Sequence, residues 1–289
     1  MKCISVVALF LTMLVTGCIK EDVSDCPEKG YSFIVKAYDN DGKELTSEDV
    51  GDVVMFIFDG EKRFVEQIRT NVGVSVTIIP PDGGDMHIVA WGNLAGGNQN
   101  VPQFTPGTPM DESGITLLCV TRTVAYGISP DDLFRGYIYP TNEEMKDEHL
   151  LPIYRETGNM DITIRNLKGF TGYEDDDYSV VVRETYWGID FSGNLYGDKV
   201  AYRPAGAFVT NGGREEFFIP LFNMIPESEI YIDIYHGAEL ITSVSVYNGD
   251  QPITVEKGLT THVLIELKSS VTVIVSITPW GEEAVWKEF

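Results

Sequence analysis

Short runs of β-branched and aromatic residues, each closed by a cluster of turn formers, recur along almost the whole 289-residue chain. Such runs fit pleated, half-buried strands and leave little room for helices. Residues 31–38 end at Asp39-Asn40-Asp41-Gly42, and residues 53–58 end at Asp59-Gly60. The run 53–58 is apolar throughout, which predicts a strand buried on both faces or one in a sandwich core. Residues 63–69, 72–79, 86–91, 115–123 and 134–139 complete the first half, with Val72, Val74, Val76 and Ile78 facing one side. Pro80-Pro81-Asp82-Gly83-Gly84 and the Gly-, Asn- and Pro-rich stretch 92–109 read as breaks.

The second half continues in the same style. Residues 161–167, 179–183, 216–222, 229–235 and 240–247 read as strands. Residues 262–267 and 271–277 read as a closing antiparallel pair around Lys268-Ser269-Ser270. Pro220 marks its run as an edge strand or a bulge. Residues 141–149 could form one short helix, but they are polar almost all round, and a solvated connector fits equally well. The fold class is therefore all-β, of the sandwich type, with a domain boundary near residues 151–159.

Length and composition agree with this. About 150 residues per domain allows two domains. The chain is 43% apolar and 11% aromatic, enough to fill real cores. Lys and Arg number 21 against 44 Asp and Glu, a formal net charge of -23. Such a surface repels phosphates, which argues against a nucleic-acid partner.

The first residues indicate the compartment. Lys2 precedes an apolar stretch, residues 6–15, which leads into Val15-Thr16-Gly17-Cys18. This pattern resembles the lipobox of bacterial lipoproteins, whose Cys is acylated and becomes the mature N-terminus. The apolar stretch is too short to span a bilayer, for which about 20 residues are needed. Residues 1–17 would then be a signal peptide and 18–30 a lipidated tether. Lys20-Glu21-Asp22 resembles the export signal that sends lipoproteins of Bacteroidales-type bacteria to the outer face of the outer membrane. Cys3 leaves with the signal and Cys18 carries the lipid. Cys26 and Cys119 remain in an oxidising setting, where they either pair as a disulfide or leave Cys119 as a small buried hydrophobe.

Catalytic and metal signals are weak. The sequence has no Gly-x-Ser-x-Gly, His-Glu-x-x-His or Gly-rich phosphate loop. His87 and His262 sit in strand patterns, His149 in the acidic connector, and His236 at a turn before Gly237. No catalytic residue or cofactor is selected. Asp39, Asp41, Gly42 and Glu48 match part of an EF-hand register, but Ala37 stands at its first position and no helices flank it, so a hairpin turn is the better reading. Glu174-Asp175-Asp176-Asp177 reads as a solvated acidic loop, with a weak divalent site as the alternative. No metal site is expected at either place.

Several motifs in order carry a family resemblance. They are the lipobox, Asp25-Cys26-Pro27, residues 53–59, Ile88-Val89-Ala90-Trp91-Gly92-Asn93, Asp132-Leu133-Phe134-Arg135-Gly136, and the ending Val275-Ser276-Ile277-Thr278-Pro279-Trp280. Together they resemble the FimB-type fimbrial anchor lipoproteins of Bacteroidales-type bacteria. The resemblance implies two consecutive transthyretin-like β-sandwich domains, residues 31–150 and 159–289. It also implies a lipid-anchored protein of the outer membrane, on the cell surface, that holds a fimbrium and limits its length. The implied partners are fimbrial subunits, bound without covalent bonds by strand or surface docking. The alternative is a surface glycan- or host-ligand-binding lipoprotein that stacks its ligand on Trp187, Tyr186 or Trp91. Ten residues follow Pro279, with two Trp and a final Phe. They are expected to pack on the second domain or add a short edge strand, so the chain would receive a partner strand and not donate one.

Overall fold

The computed structural model describes residues 30–81, 84–121, 125–141 and 148–284. From Tyr31 onward the chain forms one compact unit. Its strands run in order as β1 (Tyr31–Tyr38), β2 (Glu44–Leu45), β3 (Val53–Asp59), β4 (Phe64–Thr70), β5 (Ser75–Ile78) and β6 (Met86–Gly92). Next come β7 (Gln99–Asn100), β8 (Gly114–Leu117), β9 (Cys119–Thr121), β10 (Ala125–Gly127), β11 (Phe134–Ile138) and β12 (Glu148–Arg155). The rest comprises β13 (Gly158–Arg165), a one-turn helix α1 (Leu167–Thr171), β14 (Tyr178–Asp190), β15 (Leu195–Tyr202), β16 (Ala207–Asn211) and β17 (Arg214–Met224). It closes with β18 (Tyr231–His236), β19 (Glu239–Val244), β20 (Val246–Tyr247), β21 (Gln251–Pro252), β22 (Leu259–Leu267) and β23 (Val271–Pro279).

Three large sheets result. The first runs β2-β1-β12-β11-β6-β3-β4, with β5 also on β1. The second runs β19-β18-β14-β15-β10-β9, with β8 on β14 and β7 on β8. The third runs β16-β17-β13-β22-β23. Strands β7 to β10 come from the first half of the chain yet extend the second sheet, so the two halves share it.

The apolar run at residues 53–58 is buried on both faces, as its composition predicts. Val53, Met55 and Ile57 enter one core with Phe33, Val35, Ile88, Phe134, Leu151 and Ile153. Val54, Phe56 and Phe58 enter a second core, which the facing second and third sheets fill with Ile162, Ile164, Val180, Ile232, Val263 and Ile265. Full burial of each such side chain contributes roughly 1.5–3 kcal/mol. In residues 229–235 the alternation also holds, with Ile230, Ile232 and Ile234 fully buried.

Three local expectations change. Residues 141–149 do not all lie outside the sheets: His149 belongs to β12, while residues 142–147 lie outside the described residues. Pro152 sits inside β12 because β11 pairs with that strand only at Arg155 and Tyr154. The Pro152 carbonyl points toward Gly136, where an added Cβ would lie 2.1 Å from its oxygen. In an extended strand the missing N–H lies on that same, unpaired side, so no ladder bond is lost. The strand expected over 72–79 shrinks to β5, because Gly73 turns the chain at φ +76° and donates to the Val35 carbonyl at 2.8 Å. Val74 is left 48% exposed, whereas Ile78 is buried. The strand expected over 115–123 is broken at Leu118 into β8 and β9. Pro220 lies in β17, which is internal as far as Phe218 and loses β16 beyond it. The register against β13 shifts in that region, between Met160 and Ile162, which is the bulge that Pro220 predicts.

Candidate functional site

The third sheet ends in a long strand whose outer side has no ladder partner among the described residues. β23 pairs with β22 through nine residue pairs, from Leu259↔Pro279 to Leu267↔Val271. The composition explains the strand: Val271, Thr272, Val273, Ile274, Val275, Ile277 and Thr278 are β-branched, and Ser276 fills the remaining position up to Pro279. Val271, Val273, Val275 and Ile277 stand opposite Leu267, Ile265, Val263 and Thr261, all fully buried, so they share the core side. Val273 and Val275 pack on the core, yet Val271 is 37% and Ile277 39% exposed. The core-facing row of this strand is thus only half covered. Two-residue β20 packs beside β23 without pairing to it, and Val246 there and Leu240 on β19 are exposed as well.

The other edges are guarded or short. β2 has two residues, β9 three, β5 four and β16 five. β4 has seven residues but carries Glu66 and Arg69. β19 begins on Glu239, and its pairing with β18 slips between Ile234 and Tyr235. Charge, brevity and irregular register are the usual protections of a sheet edge against a foreign strand. β23, nine residues without a charge, has none of them until Pro279.

The end of β23 is held by polar contacts. His262 on β22 lies 2.5 Å through Nδ1 from Asp161 Oδ2 on β13. Its Nε2 faces the Thr278 hydroxyl at 3.0 Å and the Glu282 carbonyl at 3.1 Å. Burial pushes the Asp161 carboxyl up, and the imidazole beside it opposes the shift. Just beyond, the Arg155 guanidinium lies 4.6 Å from the Trp280 ring centre and 4.9 Å from that of Phe134. Arg155 also donates from Nε to both carboxylate oxygens of Asp132, at 2.9 and 3.1 Å. Burial raises the pKa of Asp132, with Arg155 pulling the other way. Trp280 therefore packs against a strand of the first sheet.

The residues singled out from sequence are dispersed. Cys18 and Cys26 lie outside the described residues. Cys119 is half-buried on β9, its thiol 4.0 Å from the Leu117 carbonyl, and burial raises its pKa. Trp91, a candidate stacking residue, is fully buried. It lies on β6, which is buried on both faces, and enters the same core as Val89. Tyr186 is covered by Lys199, whose Nζ lies 3.7 Å from its ring centre, and Trp187 donates to the Leu117 carbonyl at 2.9 Å. These rings form no common platform. Asp39 closes the β1–β2 turn by accepting from the Asp41 and Lys43 N–H groups at 3.1 and 2.8 Å. In the acidic loop Asp175 contacts His236 at 2.7 Å and Asp176 contacts Lys168 at 2.7 Å. His87 bonds the Tyr137 hydroxyl at 2.5 Å. Sequence reasoning missed the Arg155–Asp132–Trp280 group, because its members lie up to 148 positions apart and nothing local joins them.

Comparison with known proteins gives consistent matches. The family described as fimbrillin-A associated anchor proteins Mfa1 and Mfa2 matches residues 23–286. The major fimbrium anchoring subunit FimB of Porphyromonas gingivalis strain W83 is 27% identical over 315 aligned residues, which span 99% of this chain and 97% of FimB. The solved fimbrial anchor protein Mfa2 from Porphyromonas gingivalis shares the fold at a TM-score of 0.63 and 14% identity, covering 88% of this chain and 98% of its own. A putative adhesin from Bacteroides ovatus does so at a TM-score of 0.64 and 12% identity, covering 91% and 98%.

Proposed function

Because the chain belongs to the family of fimbrillin-A associated anchor proteins Mfa1 and Mfa2, we propose that it anchors a fimbrium at the cell surface through fimbrial subunits. In this reading Cys18 carries lipid in the outer membrane, residues 18–30 tether the folded unit, and the anchor limits fimbrial length. The role is structural and uses no catalytic centre. Among the described residues no helix is long and apolar enough to cross a membrane, and the lipobox-like Val15-Thr16-Gly17-Cys18 supplies the attachment instead.

The observation that carries the docking mode is the half-covered β23 edge. A strand from a fimbrial subunit laid along β23 would satisfy its outward N–H and C=O groups. Alternate side chains of that strand would cover Val271 and Ile277, so backbone pairing supplies affinity and the side chains set register. The test is electron microscopy with shear release from a deletion strain and a Cys18→Ala strain. The anchor reading expects fimbriae that assemble but are shed, with a changed length distribution. Normal length and normal retention in both strains would defeat it.

A further inference from the structure

A parallel ladder joins the first strand of the fold to the strand through which the chain leaves the first sheet. β1 and β12 pair in parallel through seven residue pairs, from Ser32↔Glu148 to Tyr38↔Tyr154. β12 ends at Arg155, and after Glu156 and Thr157 the chain enters β13, the middle strand of the third sheet.

We propose that the β1–β12 ladder is a mechanical clamp loaded in shear when the tether is pulled against the C-terminal sheets. This rests on the anchor reading, in which tension enters before Tyr31 and leaves through a fimbrium held on the third sheet. Force on β1 acts toward its N-terminal end. Force on β12 acts toward its C-terminal end, where the chain continues into β13. In a parallel pair these two ends lie at opposite ends of the ladder. The strands are therefore drawn past one another, and their evenly spaced backbone bonds bear the load together. An antiparallel pair would bring both ends to the same place, and its bonds would open one after another.

The surroundings suit this task. On the other side of β1, four antiparallel pairs with β5, from Tyr31↔Ile78 to Ile34↔Ser75, must slide as well. Phe33, Val35 and Ala37 are fully buried, as are Leu151 and Ile153, so sliding drags apolar side chains through a packed core. The far end of β12 is fixed. Glu156 accepts from Arg135 Nε at 3.0 Å and pairs with Lys257 in the loop before β22. The Thr157 carbonyl accepts from the Gly258 N–H at 2.8 Å. Load that reaches Arg155 thus passes directly into the third sheet.

The test is single-molecule force spectroscopy on the mature chain with two pairs of attachment points. Residues 30 and 256 load the ladder along its length. Residues 30 and 148 load it across, because Glu148 stands opposite Ser32. Glu148 and Glu256 are exposed, so a bioorthogonal handle at either leaves the core intact. Forced unfolding reports the unfolding barrier in the direction pulled. The clamp predicts a rupture force at least about twofold higher along the ladder than across it. Equal forces, or a higher force across the ladder, would overturn it. No fimbria takes part in this measurement, so its failure leaves the anchor reading intact, whereas normal fimbrial retention in the deletion strain would remove that reading by itself.

Discussion

The Arg155 guanidinium lies over the Trp280 ring at 4.6 Å, tying the last strand of the first sheet to the residue that follows β23. Arg155 is 8% exposed, and its charge is met by Asp132. Arg155→Ala would leave the Asp132 carboxylate with only the Thr157 hydroxyl for a partner and should cost about 3 kcal/mol, as for other broken buried pairs. Trp280→Ala removes one ring face only and should cost about 1 kcal/mol. Urea denaturation of both variants checks the order of the two effects.

The second expectation concerns Gly136. An alanine Cβ there would lie 2.1 Å from the Pro152 carbonyl oxygen and 2.8 Å from Ile153 Cγ2, and a backbone oxygen cannot swing aside. Gly136→Ala should force β11 and β12 apart and lower stability by about 2 kcal/mol or more, within the range of overpacked cores. A Gly136→Ala protein with an unchanged denaturation midpoint would show that the two strands yield freely.

The third expectation is a pH dependence. Burial holds the His87 imidazole below its ordinary value, with nearby Lys62 adding to the shift and Asp59 and Asp85 opposing it. The folded state then binds fewer protons here than the unfolded state, so stability rises with pH. The contribution is complete above about 6.5 and is lost as pH falls from there through the lower folded value. Denaturation midpoints measured from pH 7.5 to 5.5 should fall less steeply in His87→Gln than in the parent chain. Equal slopes would contradict this account of His87.

The fourth expectation is chemical. If Cys26 and Cys119 pair, the mature protein, denatured without reductant, should show no free thiol, and loss of the bridge should cost about 2–4 kcal/mol. Two labelled thiols in oxidised material would exclude the pair.

Much of this fold was legible where one physical signal dominated. The run 53–58 declared a doubly buried strand because every side chain in it is apolar. Residues 229–235 declared one buried face because their alternation is strict. The hairpin around Lys268-Ser269-Ser270 followed from two β-branched runs and a short polar turn. β12 was hidden because its outward positions Leu150 and Tyr154 are apolar as well as its inward ones, which blurs the alternation, and Pro152 reads as a breaker. Its tolerance depends on where β11 stops pairing, which only the register shows. β15 and β16 escaped notice because most of their side chains are exposed and polar or isolated. The site was less legible than the fold. β23 was recognisable as a strand, but its position at a sheet edge is a property of the topology. The contacts of Arg155 with Asp132 and Trp280 likewise depend on the tertiary structure alone.

In the anchor reading a fimbrial subunit docks along β23. The most direct measurement is photo-crosslinking in fimbriated cells, with a photoreactive residue placed at Thr272 or Ile277 on β23 and, as a control, at exposed Glu61 in the β3–β4 turn. The account predicts adducts with a fimbrial subunit from both β23 positions and none from position 61. Adducts from position 61 with none from β23 would contradict it.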